Sequence, residues 1–226
     1  MFTLSEVVPW GRSYDEYCRM FALSDADLSK RILGCGDGPA GFNVEATRRD
    51  TAVVSCDPLY QFSAPQIRNR IAQTYDEVMA QMRSNEAEFV WTEIGSVEEL
   101  GRIRMSAMNG FLDDFERGKA DGRYVDAGLP SLPFADGSFE LALCSHFLFL
   151  YSAQLGETFH RQALLELCRV AGEVRIFPLL ALGGVPTPLV GQAKADLSDA
   201  GFVAAVEKVP YEFARGSNEM LTIRRR

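Results

Sequence analysis

Hydrophobic positions along this chain follow two rhythms. Between residues 63 and 122, Ile67, Ile71, Tyr75, Val78 and Met82 recur at three- and four-residue steps, and Leu100, Ile103, Ala107, Phe111 and Phe115 repeat the pattern. That period lays one apolar stripe along each of two long helices, separated near residues 89–95. Ser63 with Gln66, and Ser96 with Glu99, have the spacing of capping boxes, so both helices carry a start signal. Outside this stretch, short apolar runs alternate with helical ones. Residues 51–56 (TAVVSC) and 139–144 (FELALC) read as buried strands, as do 174–177, stopped by Pro178. Weaker strands are expected at 31–33 and 124–125. Helices are expected at 39–49, 152–170 and 189–200, the second with Leu155, Phe159, Leu164, Leu167 and Cys168 on its inner face. Residues 1–30 read as a helical lead-in, with Ser24-Asp25 capping a short helix. Residues 203–209 and 220–223 form a terminal hairpin-like pair joined through 210–218. Strands alternating with helices predict an α/β fold, a mainly parallel sheet covered on both faces. The segment 63–122 is a helical insertion in it.

Composition narrows the function classes. At roughly 150 residues per domain, 226 residues suggest one domain with an insertion, spanning 1–226. A 47% hydrophobic and 24% charged chain is not intrinsically disordered. No apolar run approaches the ~20 residues that cross a bilayer, and the sequence MFTLSEVVPWGRSYDE lacks the basic start and apolar stretch of a signal peptide. No membrane association and a cytoplasmic location are therefore expected. With 23 Lys+Arg against 31 Asp+Glu the net charge is −8, which disfavours nucleic acid as a partner. The one basic cluster, Arg224-Arg225-Arg226, reads as a solvated end. Five widely spaced cysteines contain no C-x-x-C pair and read as free thiols. With only His146 and His160 besides, no metal site is expected.

The chemistry concentrates at Gly34-Cys35-Gly36-Asp37-Gly38-Pro39. A glycine-rich turn between a strand and a helix lets backbone and ligand approach closely, at the edge of a doubly wound sheet where ligands bind. Asp57 ends the next strand 21 residues beyond Gly36, near the ~20 expected of an acid that accepts from ribose hydroxyls. Gly36-x-Gly38-x-x-Gly41 also satisfies the dinucleotide fingerprint, so NAD competes for the same turn.

Gly34-x-Gly36-x-Gly38 resembles motif I of the class I S-adenosylmethionine-dependent methyltransferases. The run Leu129-Pro130-Ser131-Leu132-Pro133-Phe134-Ala135-Asp136-Gly137-Ser138-Phe139-Glu140-Leu141-Ala142 resembles that family's L-P-F-x-D-x-S-F-D-x-V segment. No dehydrogenase pattern contains it, and the resemblance covers about residues 30–180. It implies a Rossmann-like doubly wound sheet of seven strands, mostly parallel with an antiparallel terminal strand. It implies S-adenosylmethionine as cofactor, held by Gly34, Cys35, Gly36, Gly38, Asp57, Pro58, Asp126, Ala127 and Ser145, with Asp126-Ala127 at the adenine. His146 lies where the family meets the transferring methyl, and is the candidate base or acceptor-orienting group, or else a structural histidine hydrogen-bonded near the strand end. Tyr60 and Tyr151 are candidates to stack on ligand, or to be buried in the core; His160 reads as a packing or surface residue. Methyl transfer to a small-molecule acceptor is the favoured activity, with a non-catalytic S-adenosylmethionine-binding protein as the alternative. Two departures stand out. Ile32 occupies the position, two residues before the first glycine, where many members carry the acid that holds the methionine amino group. The insertion 63–122 replaces a much shorter connection; its apolar faces are expected to meet the domain itself, a second subunit of a homodimer, or the acceptor pocket as a lid.

Overall fold

The computed structural model describes residues 8–226; residues 1–7, part of the expected lead-in, lie outside the described residues. Ser13 and Glu16 close a capping box on helix α1 (Tyr14–Met20), and Ser24 and Asp27 close another on α2 (Asp25–Leu28). Strand β1 (Ile32–Cys35) leads through the glycine turn into α3 (Phe42–Arg48), followed by β2 (Val53–Cys56). The insertion supplies α4 (Ala64–Ser84) and α5 (Val97–Ala120). The Ser63 box is complete, whereas at α5 only the Ser96 hydroxyl accepts, from the Glu99 amide. There follow β3 (Tyr124–Val125), β4 (Phe139–Ser145), α6 (Ser152–Val170) and β5 (Ala171–Phe177). A two-stranded ribbon, β6 (Leu180–Ala181) and β7 (Val185–Pro186), precedes α7 (Leu189–Asp199), β8 (Phe202–Lys208) and β9 (Glu219–Arg225).

Seven strands form one sheet in the order β3-β2-β1-β4-β5-β9-β8. The first five are parallel, and β9 runs antiparallel to both β5 and β8. This is the Rossmann-like doubly wound arrangement with an antiparallel strand near one edge. The chain runs outward from β1 to β3 and then returns to place β4 on the other side of β1. The carboxyl ends of β1 and β4 therefore flank the switch point, where such sheets open a crevice.

Both faces are covered. Leu164, Leu167 and Leu197 of α6 and α7 pack with Leu33, Ala142 and Ile176 on one side. Tyr17, Phe42 and the α4–α5 residues Val78, Met82 and Leu100 pack with Ile32 and Leu141 on the other. A third cluster joins Ile67 and Ile71 of α4 to Phe111 and Phe115 of α5, around Tyr60 and Tyr124. The apolar faces of the insertion thus meet the domain's own core. A buried pair between Glu16 and Arg104 ties α1 to α5, with Arg104 Nη2 donating to Glu16 Oε1 at 2.7 Å.

Two boundaries differ from the sequence reading. Strand β1 extends through Gly34 and Cys35, so the turn begins at Gly36 rather than Gly34. Helix α3 begins after Gly41 rather than at Pro39. The Gly41 amide, at the N-cap of α3, donates to the Arg12 carbonyl at 2.9 Å, which ties the N-terminal segment to the helix start.

Candidate functional site

A cavity of about 1010 Å³ opens at the switch point. That is at the upper end of small-molecule sites and leaves room for two ligands side by side. Its walls come from the glycine turn, the ends of β2, β4 and β5, the segment 8–12, α4 and the 211–217 loop. Cys35, Gly36, Gly38, Asp57, Pro58, Ser145 and His146 all line it. Gly34, Asp126 and Ala127 do not. Gly34 is a strand residue, Asp126 is exposed, and Ala127 packs partly buried on the core. At this edge Gly128 and Leu129 face the cavity instead, with Gly128 close against Pro58.

The turn is fixed before any ligand arrives. Gly36 and Gly38 take φ of +70° and +54°, which other residues rarely adopt. The Gly36 amide donates to the Cys56 carbonyl at 2.9 Å, and the Gly38 amide donates to Asp57 Oδ2 at 2.8 Å. Asp57 Oδ1 accepts from the Leu59 amide at 2.8 Å. Burial raises the Asp57 carboxyl above its ordinary range, opposed by these two amides, while Asp126 adds to the rise. Tyr60 is fully buried among Phe111, Phe115 and Tyr124 and donates to the Gly38 carbonyl at 2.8 Å. It is a brace for the turn rather than a stacking platform.

Asp37, between the two glycines, is buried in the cavity wall and went unassigned in the sequence. Its Oδ1 accepts from the Tyr17 hydroxyl at 2.8 Å and its Oδ2 from the Ser55 hydroxyl at 2.6 Å. Burial pushes its carboxyl up to about 6; the two hydroxyls pull it down and the charge of Asp57 adds to the rise. Among the described residues no Lys or Arg pairs with it. A side chain at Gly34 would collide with this carboxylate, since a Cβ there would stand 1.8 Å from Asp37 Oδ2.

Across the switch point, His146 adopts φ +52° and its amide donates to the Phe177 carbonyl at 2.7 Å. Its Nδ1 lies 2.9 Å from Ser145 Oγ. Burial, then the charges of Arg12 and Arg104, hold the imidazole well below its ordinary pKa, so the ring is neutral at neutral pH. Tyr151 is buried beside it in the wall. His160 is elsewhere: buried in α6, its ring nitrogens meet the carbonyls of Leu148 and Gly156, a packing role.

The N-terminal segment brings a cation to the cavity. Arg12 Nη1 donates to the Trp10 carbonyl at 2.7 Å, while Arg12 Nε and Trp10 Nε1 are buried without hydrogen-bond partners among the described residues. Burial, and then Arg104, lower the Arg12 pKa to about 10. Glu16 does not pair with it, because its oxygens serve Arg104, the Tyr211 hydroxyl at 2.8 Å and Ser13. The remaining wall mixes apolar Val78, Met82, Phe89, Phe177, Leu180 and Phe213 with polar Gln66, Asn69, Arg70, Gln73, Glu88 and Arg215. Among the described residues no group of three or more His, Cys, Asp or Glu is placed to hold a metal, and no helix is long and apolar enough to cross a membrane. Residues 10, 12, 17 and 37 lacked a shared sequence signal. The hint was negative: with Ile32 two residues before the first glycine, Asp37 is the nearest acid left in the turn.

No family model matches the chain. Over 223 residues it is 31% identical to the uncharacterised protein MJ0045 of Methanocaldococcus jannaschii, covering 98% of each chain. Among solved structures it is similar to the magnesium protoporphyrin IX methyltransferase ChlM of Synechocystis with bound SAM, at 11% identity and a TM-score of 0.49, covering 94% of this chain and 78% of that one. It is also similar to a SAM-dependent methyltransferase of Aquifex aeolicus, at 14% identity and a TM-score of 0.43, covering 93% and 87%.

Proposed function

The chain belongs to the same family as MJ0045 of Methanocaldococcus jannaschii, and we propose that it is an S-adenosylmethionine-dependent methyltransferase acting on a small molecule. The observation that carries this reading is the meeting of a braced glycine turn, a half-buried Asp57 and a neutral His146 in one cavity at the switch point. The cofactor, when bound, supplies an electrophilic methyl group for in-line displacement. The protein's task is then alignment and exclusion of water.

Each residue has a defined part in that task. Gly36 and Gly38 bring the main chain against the ligand. Asp57 accepts from the ribose hydroxyls; its two amide donors fix the carboxylate plane and leave a lone pair free on each oxygen. Pro58, Leu59 and Leu129 offer an apolar slot for the adenine ring. Helix α4 closes the acceptor side with Ile67, Val78 and Met82 and keeps water from the reacting centre. His146 accepts a hydrogen bond from the acceptor's N–H or O–H and orients it. Its low basicity suits an orienting acceptor better than a base that stores a proton at neutral pH.

That low basicity also favours the second reading, a non-catalytic S-adenosylmethionine-binding protein of the same fold. Incubating the protein with labelled S-adenosylmethionine and a panel of small aromatic and apolar nucleophiles separates the two. Acceptor-dependent appearance of S-adenosylhomocysteine supports the enzyme. Tight cofactor binding with no turnover on any acceptor supports the binder.

A further inference from the structure

Segment 8–12 brings Arg12 into the cavity wall with one edge of its guanidinium unused. Nη1 donates to the Trp10 carbonyl at 2.7 Å. Nε is buried without a hydrogen-bond partner, and Nη2 makes no hydrogen bond either, among the described residues. Nε and Nη2 share the edge of the planar group on which a carboxylate is held by two parallel hydrogen bonds. The acid that could neutralise this charge is turned elsewhere. Glu16 accepts from Arg104 Nη2 at 2.7 Å, from the Tyr211 hydroxyl at 2.8 Å and from the Ser13 amide at 2.9 Å. Arg215, also in the wall, spends Nε and Nη2 on the carbonyls of Ala87 and Phe89. A cation with no counter-charge, and a buried donor with no acceptor, both cost free energy that a ligand can recover.

Arg12 belongs to the side of the cavity at the ends of β4 and β5. Its charge acts on His146, Tyr151 and Tyr211, and is not among those that move the Asp37 carboxyl of the glycine turn. His146, Phe177 and Tyr211 stand edge to face in a row, with ring centroids 5.5 and 5.7 Å apart. The cation therefore flanks a row of rings that begins at the acceptor-orienting histidine, and Leu180 and Phe213 add apolar wall. We propose that the methyl acceptor is an apolar or aromatic carboxylate, anchored through its carboxylate on the Nε–Nη2 edge of Arg12 and through its body on Phe177, Leu180 and Phe213. The proposal rests on the methyl-transfer reading above and narrows its acceptor. The carboxylate is the anchor; the N–H or O–H presented to His146 is the nucleophile. A neutral acceptor leaves the Arg12 charge unanswered, and a cationic one is repelled by it. A phosphate dianion asks for more positive charge than one guanidinium edge supplies.

The test compares acids with amides of the same shape. Benzoate, 3-phenylpropanoate and 2-naphthoate, each beside its primary amide, are titrated calorimetrically at pH 7.5 into the full chain saturated with S-adenosylhomocysteine. The tightest of the three acids should bind about tenfold to a hundredfold more strongly than its amide, as expected for charge-assisted hydrogen bonds. Arg12→Gln should erase that preference, and Arg12→Lys should recover part of it as a point charge without the fork. Both variants should bind S-adenosylhomocysteine as the wild type does, which shows that the site remains folded and that Arg12 does not serve the cofactor. Amides binding as tightly as acids, no acid saturating the wild type, or a preference that survives Arg12→Gln would overturn the proposal. So would a loss of S-adenosylhomocysteine affinity in both variants, which would assign Arg12 to the cofactor. Failure of the wild type to bind S-adenosylhomocysteine at the outset would instead overturn the methyl-transfer reading, and the acceptor assignment with it.

Discussion

The buried Asp37 carboxylate carries a cost to stability. Its pKa of about 6 lies above the ordinary 3.8 because burial penalises the charge more than the Tyr17 and Ser55 hydroxyls relieve it, and the nearby Asp57 adds to the penalty. For an acid with a raised folded-state pKa, the contribution to stability is fully present below 3.8 and is lost as the pH rises through about 6. The ligand-free protein at neutral pH therefore holds an ionised carboxylate that costs on the order of 3 kcal/mol. Asp37→Asn keeps the shape and removes the charge, and the two hydroxyls can rotate to suit an amide. We predict that Asp37→Asn raises the Tm of the ligand-free protein at pH 7.5, with the gain shrinking toward pH 4, while binding of S-adenosylhomocysteine weakens. Thermal scans across that range, paired with titrations, check both halves. A lower Tm at pH 7.5 would mean that the hydroxyl network outweighs the buried charge.

At the scale of elements, legibility in the sequence followed how local the cause was. The helices of the insertion were readable because a 3.6-residue stripe and the Ser63–Gln66 box are written within one segment. Strands β2, β4 and β5 were readable as apolar runs, and the acid after β2 did reach the cavity. Gly34 has the residue type of a turn but ends inside β1, where its lack of a Cβ clears the Asp37 carboxylate. Pro39 has the residue type of a helix start, but α3 begins only after Gly41, whose amide donates to the Arg12 carbonyl. Trp10, Arg12 and Tyr17 could not be read as site residues, since only tertiary packing lays segment 8–17 over residues 36–41 and 55. That docking is exposed to a single change. At Gly11 an added methyl meets main chain, which cannot swing aside as a side chain can. Gly11→Ala should push the segment off the turn, lower stability by about 1–3 kcal/mol and weaken binding of S-adenosylhomocysteine. Denaturant melts and titration of the variant measure these together; unchanged affinity would remove the segment from the site.

Across the whole molecule, sheet order decides what the local pieces can do. Because β4 returns beside β1, His146 and the glycine turn, more than a hundred residues apart in sequence, line one cavity. Because the insertion lies between β2 and β3, α4 starts near Asp57 and runs along that cavity as a wall. The hairpin of β8 and β9 fills the far edge, and the loop between them contributes Tyr211 and Phe213 to the apolar end. Under the proposed function the glycine-turn side of the cavity would hold the nucleoside, and the side formed by α4 and the 211–217 loop, which mixes Val78, Met82 and Phe213 with Arg70, Glu88 and Arg215, would meet the acceptor. The same glycine turn formally matches a dinucleotide fingerprint, so the most direct test sets the two cofactors against each other. Isothermal titration of the wild-type chain with S-adenosylhomocysteine and with NAD should give one-site saturation for the first and no binding heat for the second. Saturable binding of NAD without binding of S-adenosylhomocysteine would contradict the assignment.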